Sequence, residues 1–206
     1  GLIVPLGRWV LEQALADLRT WDDLSAGPDS GLRVSVNVSV VQFERDPGFI
    51  DEVEAALLRH GLANHRLVLE VTESVLMEHR TEVVESLERL RVLGIGLAVD
   101  DFGTGSSSLS YLKHLPFSLL KLDKSFVDGV GTDPKDRALV ASIVAMSRAL
   151  GLEVTAEGVE TSEQIEALQI LGCDRAQGFH YARPMPAPMI DALLATEVAD
   201  TVLSAS

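Results

Sequence analysis

A chain of 206 residues with 47% apolar content is long enough to bury a core of its own, and one domain spanning 1–206 is the expectation at this length. A formal net charge of −14 opposes the counterion release that drives binding to polymeric nucleic acid, and no apolar run reaches the ~18 residues of a membrane span, so direct membrane insertion is not expected either. The single cysteine, Cys173, excludes an internal disulfide framework and fits a buried thiol in a reducing compartment; Gly1-Leu2-Ile3-Val4-Pro5 lacks the basic segment of a signal peptide, and the expected location is the cytoplasm.

Helical and strand patterns alternate along the chain. Leu6, Trp9, Val10, Ala14, Leu18 and Trp21 recur at helical spacing and predict a first helix, closed by the loop Gly27-Pro28-Asp29-Ser30-Gly31. A strand is expected over 34–39, then a helix marked by Phe49, Ile50, Val53, Leu57 and Leu58 and stopped at Gly61. Leu67-Val68-Leu69 opens the next strand, followed by the stripe Val83, Val84, Leu87, Leu90 and Leu93 and the strand Leu97-Ala98-Val99. A strand over 119–122 precedes the stripe Leu139, Val140, Ile143, Val144 and Leu150; the strand 154–156, a short helix through Ile165 and Leu168, and a last strand near 175–177 complete the pattern.

Roughly six such βα units imply parallel strands, because each return crossover needs a helix. No G-x-G-x-x-G follows an early strand, which argues against a dinucleotide-binding open sheet and for a (β/α)8 TIM-type barrel. Such a barrel has eight strands and about 250 residues. The expectation is therefore a barrel lacking its first one or two strand units, with those units upstream.

The polar residues within the strands carry the functional signal. Val34-Ser35-Val36-Asn37-Val38-Ser39 alternates strictly, which sends Ser35, Asn37 and Ser39 to the barrel interior and the valines to the helices. The same register points Glu70, Asp100, Lys121 and Glu157 inward, each at or near the carboxyl end of its strand, the face where barrel enzymes assemble their sites. Acids outnumber the one lysine, and unpaired buried charge costs several kcal/mol. The two readings are a self-satisfied ion plug and a metal site; an all-oxygen donor set of Asp, Glu and Asn suits Mg2+ or Mn2+ better than Zn2+. His60, His65, His79, His114 and His180 show no ligand spacing. Asp100 and Asp101 should point to opposite faces if the strand continues, so both reach one site only if the strand ends there, with Gly103 and Gly105 supplying the turn. One carboxylate could then bridge two ions; the alternative is that Asp101 caps the turn.

These segments together resemble the EAL domain of bacterial cyclic di-GMP phosphodiesterases. The likeness runs through Gly1-Leu2-Ile3-Val4-Pro5-Leu6-Gly7, Val36-Asn37-Val38-Ser39 with Gln42-Phe43, Leu69-Glu70-Val71-Thr72-Glu73-Ser74, Asp100-Asp101-Phe102-Gly103-Thr104-Gly105, Lys121-Leu122-Asp123 with Ser125-Phe126-Val127, Ala156-Glu157-Gly158-Val159-Glu160-Thr161, and Gln177-Gly178-Phe179. The resemblance implies hydrolysis of cyclic di-GMP to linear pGpG with two Mg2+ or Mn2+ ions. It implies that Asn37, Glu70 and Asp100 hold one ion and that Asp100 bridges to a second held by Asp101 and Glu157. Lys121 would position the attacking water and Gln177 would add a polar contact beside it, with Asn37, Asp101 and Glu160 also facing the substrate. Glu73 would steady the loop after Asp101, its alternative being a helix N-terminal acid. The loop 103–110 resembles the segment that couples metal binding to homodimer packing, with Ser106 where the family often has tyrosine.

The resemblance places the family's Glu-Ala-Leu segment, which supplies a further metal ligand, and a nearby phosphate-contacting arginine upstream of Gly1; the expectation is either that they precede this chain or that the protein lacks them and is catalytically impaired. Glu12-Gln13-Ala14-Leu15 is no substitute, because it lies within a helical stripe. The competing functions are a receptor that binds cyclic di-GMP without turnover and a dimerising interaction module; upstream sensory or GGDEF domains are the expected regulatory partners.

Overall fold

The computed structural model describes residues 1–25, 31–73, 81–103 and 112–204, with side chains described as far as 196. Among these residues six parallel strands form one sheet in the order β1 to β6: β1 Val34–Asn37, β2 Leu67–Thr72, β3 Gly96–Phe102, β4 Leu119–Leu122, β5 Glu153–Ala156 and β6 Arg175–Ala176. Strictly sequential order is the order of a barrel wall; a doubly wound sheet reverses direction at a switch point. The helices are α1 Ile3–Leu24, α2 Val40–Arg45, α3 Phe49–His60, α4 Thr81–Val92, α5 Lys124–Val127, α6 Pro134–Ala149, α7 Ser162–Leu171 and α8 Ala187–Ser204. The architecture is a curled parallel sheet of the TIM-barrel type, a partial barrel.

Each strand divides its side chains between two environments. The outward residues Val36, Leu69, Val71, Leu97, Val99, Leu120, Leu122 and Val154 join the helices in one large core. The inward residues Val68, Ala98 and Leu119 form a separate small layer. Beyond that layer the inward positions turn polar at Glu70 and Lys121, and a cavity of about 200 Å³ runs along this inner face, lined by Val68, Ala98 and Leu119 as well as Ser35, Glu70, Lys121 and Gln177.

The structure rotates the first helix relative to the sequence expectation. Its buried face is Leu11, Leu15, Leu18 and Asp22, whereas Leu6, Trp9 and Val10 are exposed. This segment is apolar on more than one side, so periodicity alone leaves the inward face open; packing against α3, α8, α2 and β1 decides it. Arg66, in the turn directly before β2, bonds Asp22 at 2.5 Å and the carbonyl of Leu32, and Trp21 Nε1 donates to Asp191 of α8 at 2.9 Å. Leu58, expected in the α3 stripe, is exposed, while Phe49, Ile50, Val53, Ala56 and Leu57 are buried.

Strand β1 is also shorter than expected. Ser39 does not face the barrel interior; it caps α2, its hydroxyl accepting from Val41 N while Gln42 Oε1 accepts from Ser39 N at 3.1 Å. A Ser-x-x-Gln box stops a strand because its side-chain bonds satisfy the backbone donors that begin a helix. Helices α2, α5 and α8 were not expected from the sequence, the first two because they are too short to show a periodic stripe. The predicted loop through Gly27 and residues 104–111, including Gly105 and Ser106, lie outside the described residues.

Candidate active site

Lys121 of β4 is the centre of a four-strand cluster. Its Nζ lies 2.6 Å from Glu70 Oε2 of β2, 3.0 Å from Asp100 Oδ1 of β3 and 2.8 Å from Glu157 Oε1, one residue beyond β5. Burial alone would lower the pKa of the ammonium, but hydrogen bonds with Glu157 and Glu70, reinforced by the charge of Glu70, hold it well above the ordinary lysine value. Lys121 is therefore a fixed cation. Burial, opposed by Lys121, pushes the Glu157 carboxyl up from its ordinary value.

Asp101 reaches the same place by a route the sequence does not show. Strand β3 does not end at Asp100 but continues through Phe102, and its register against β4 shifts: Val99 pairs with Leu120 and Phe102 with Leu122. Three steps on one strand match two on the other, which is a β-bulge carrying an extra residue. Asp101 takes up the irregularity with φ at +54°, a conformation aspartate tolerates better than most residues. As a result, ligand oxygens of the consecutive residues Asp100 and Asp101 lie with one from Glu157 within 4.8 Å of one another. Burial, and the charges of Asp100 and Asp123, push the Asp101 carboxyl up from its ordinary value.

The remaining predicted residues fall around this cluster. Asn37 ends β1 with its Cα paired to that of Glu70, and its side chain is exposed. Gln177 lies one residue past β6, donates its backbone N–H to Ala156 O at 2.8 Å, and lines the same cavity as Glu70 and Lys121. Glu73 is buried and accepts from the backbone N–H of Gly103 at 2.8 Å, so it holds the start of the segment after Asp101. Glu160 is exposed and pairs with Lys124, while its backbone N–H donates to Gln164 Oε1 at 2.7 Å. Glu12 is an α1 surface residue paired with Arg59 and His60, away from any strand end.

The donor set fits a hard divalent cation. Among the described residues Lys121 meets the carboxylates of Glu70, Asp100 and Glu157, Asp101 lies beside the last two, and Asp100 Oδ1 is buried without a well-aligned hydrogen bond although Lys121 lies next to it. Excess negative charge with an under-bonded oxygen and oxygen-only donors matches Mg2+ or Mn2+ chemistry.

A sequence profile of the EAL domain matches residues 1–184. The chain belongs to the EAL domain family. It is 47% identical over 195 residues to the bifunctional diguanylate cyclase/cyclic di-GMP phosphodiesterase MucR of Pseudomonas aeruginosa, a match covering 95% of this chain and 28% of that protein. The chain thus spans about a quarter of the length of the curated relatives it matches. A solved structure described as the PaMucR phosphodiesterase in complex with c-di-GMP superposes with a TM-score of 0.83 at 47% identity, covering 92% of this chain and 75% of the other. The BlrP1 manganese/cy-diGMP complex from Klebsiella pneumoniae superposes at 0.75 with 32% identity, covering 86% and 44%.

Proposed function

We propose that this EAL domain hydrolyses cyclic di-GMP to linear pGpG with the help of divalent ions. The observation that carries the reading is the gathering of Glu70, Asp100 and Glu157 on Lys121, with Asp101 turned into the same space by the bulge. The likeness to the MucR complex supports the substrate, and the BlrP1 complex supports the metal class.

Asn37, Glu70, Asp100, Asp101 and Glu157 are proposed to hold the ions, with Asp100 between two. When bound, such ions neutralise phosphoryl oxygens and lower the pKa of a coordinated water. Lys121, held charged, positions the attacking water and is fixed by its three carboxylate neighbours. Gln177 adds a neutral polar contact at the rim, and Glu160 stands farther out with its partner Lys124. Glu73 acts through the backbone of Gly103 and not on the substrate. A homodimer and regulation by other domains are carried forward on the family resemblance.

The test is incubation of the intact protein with cyclic di-GMP and Mg2+ or Mn2+. Appearance of pGpG supports the hydrolase; tight binding without turnover would replace it with a receptor, and neither would leave an interaction module.

A further inference from the structure

Helix α5 has four residues, yet two of its side chains fill the space in front of two glycines that follow site acids. On one side, a Cβ at Gly103 would overlap Cε2 and Cζ of Phe126. Gly103 has φ at +98° and comes two residues after Asp101. On the other side, a Cβ at Gly158 would lie 2.5 Å from Cγ of Lys124 and 2.7 Å from its Cβ and Cδ; Gly158 has φ at +68° and directly follows Glu157. Only a residue without Cβ allows so close an approach at these backbone angles.

The helix itself is firmly held. So short a helix has little stability of its own, because nucleation costs more than one turn returns. Asp123 caps it, accepting from Ser125 N at 3.0 Å and Ser125 Oγ at 2.6 Å, and Val127 is fully buried. At the other end, Gln164 Nε2 donates to the carbonyls of Val127 at 3.3 Å and Asp128 at 3.4 Å. The helix begins two residues after β4, the strand that carries Lys121. One rigid piece therefore touches the turns of both neighbouring strands, β3 and β5.

We propose that Phe126 and Lys124 are positioning residues: α5 sets the backbone that follows Asp101 and Glu157, at Gly103 and Gly158, and so governs how tightly the acid cluster holds a divalent ion. The proposal rests on the metal reading above. Phe126 acts with its ring. Lys124 acts with its aliphatic stem, its ammonium being engaged by Glu160 and by Asp128 at 3.5 Å.

Mn2+ titration calorimetry on the intact protein, with thermal unfolding in parallel, tests it. Phe126→Ala should weaken Mn2+ binding on the order of 10-fold, the low end of what partners of metal ligands contribute, and Phe126→Leu should recover most of the loss. In an Asp101→Asn background, Phe126→Ala should have no further effect. Lys124→Met, which keeps the stem, should bind as the wild type does, whereas Lys124→Ala should bind several-fold more weakly. A lowered Tm with unchanged Mn2+ affinity in Phe126→Ala, or an equal loss with and without Asp101, would overturn the role of Phe126. Equal losses in both Lys124 variants would overturn the role of the stem. A wild-type protein that takes up no Mn2+ would overturn the metal reading itself, a failure distinct from any confined to the variants.

Discussion

Two buried charge clusters in this molecule obey opposite rules. Beneath α1, Arg66 meets Asp22 with side chains only 4% and 2% exposed, and the guanidinium also serves the carbonyl of Leu32. Among the described residues one cation faces one anion there, and the guanidinium reaches both Asp22 and the Leu32 carbonyl. At the strand ends, Lys121 faces Glu70, Asp100 and Glu157, with Asp101 close behind, and Asp100 Oδ1 lacks an aligned donor. Both sites bear the cost of desolvating charge, but among the described residues the first is the one that pairs charge for charge. Charge balance, and not burial, separates a structural ion pair from a candidate site for an exogenous cation.

That contrast can be broken most directly at Asp100. Asp100→Asn should abolish pGpG production while the protein remains folded, as checked by product chromatography and circular dichroism; turnover at the wild-type rate would remove the proposed bridging role. At the balanced pair the effect should move to stability. Asp22→Ala removes the carboxylate that the buried Arg66 bonds at 2.5 Å and should cost about 3–5 kcal/mol in urea unfolding, with Mn2+ affinity of the folded protein unchanged. A smaller effect is expected from the ion itself: Mn2+ at 100 times its dissociation constant should stabilise the wild type by about 2.7 kcal/mol, and chelation should reverse this. Asp22→Ala should keep the same increment, since the two clusters are separate.

The smallest effect belongs to the exposed network on α1, which sharpens the contrast from the other side. Hydrogen bonds from Arg59, then from His60, hold the Glu12 carboxyl below its ordinary value. A carboxyl depressed by folding contributes stability above its unfolded pKa and loses it as pH falls through the folded one. Glu12→Gln should therefore lower Tm slightly at neutral pH, with the difference shrinking in acid, because solvent screens so exposed a network.

Much of this was legible in the sequence because it depends on local periodicity. Alternation of βα units gave parallel strands, and the two-residue period within each strand put Glu70, Asp100, Lys121 and Glu157 on the inner wall, where the structure has them. Other features depend on neighbours in space. The face that α1 buries was chosen by the elements packed on it, α3, α8, α2 and β1, so Leu11 and Leu15 went inside and Trp9 stayed out. Ser39 became a helix cap through a bond with Gln42, which ended the strand that alternation alone would have continued.

The decisive case is Asp101. A strand that ended at Asp100 would have brought both aspartates to one site; the structure does so by a register shift against β4 while the strand runs on. Which residue types could supply the chemistry was written in the chain, because side-chain identity and strand period are properties of a segment by itself. Where Asp101 points, and what α5 presses against, were decided only on folding, because a bulge and a buttress exist only between elements distant in sequence.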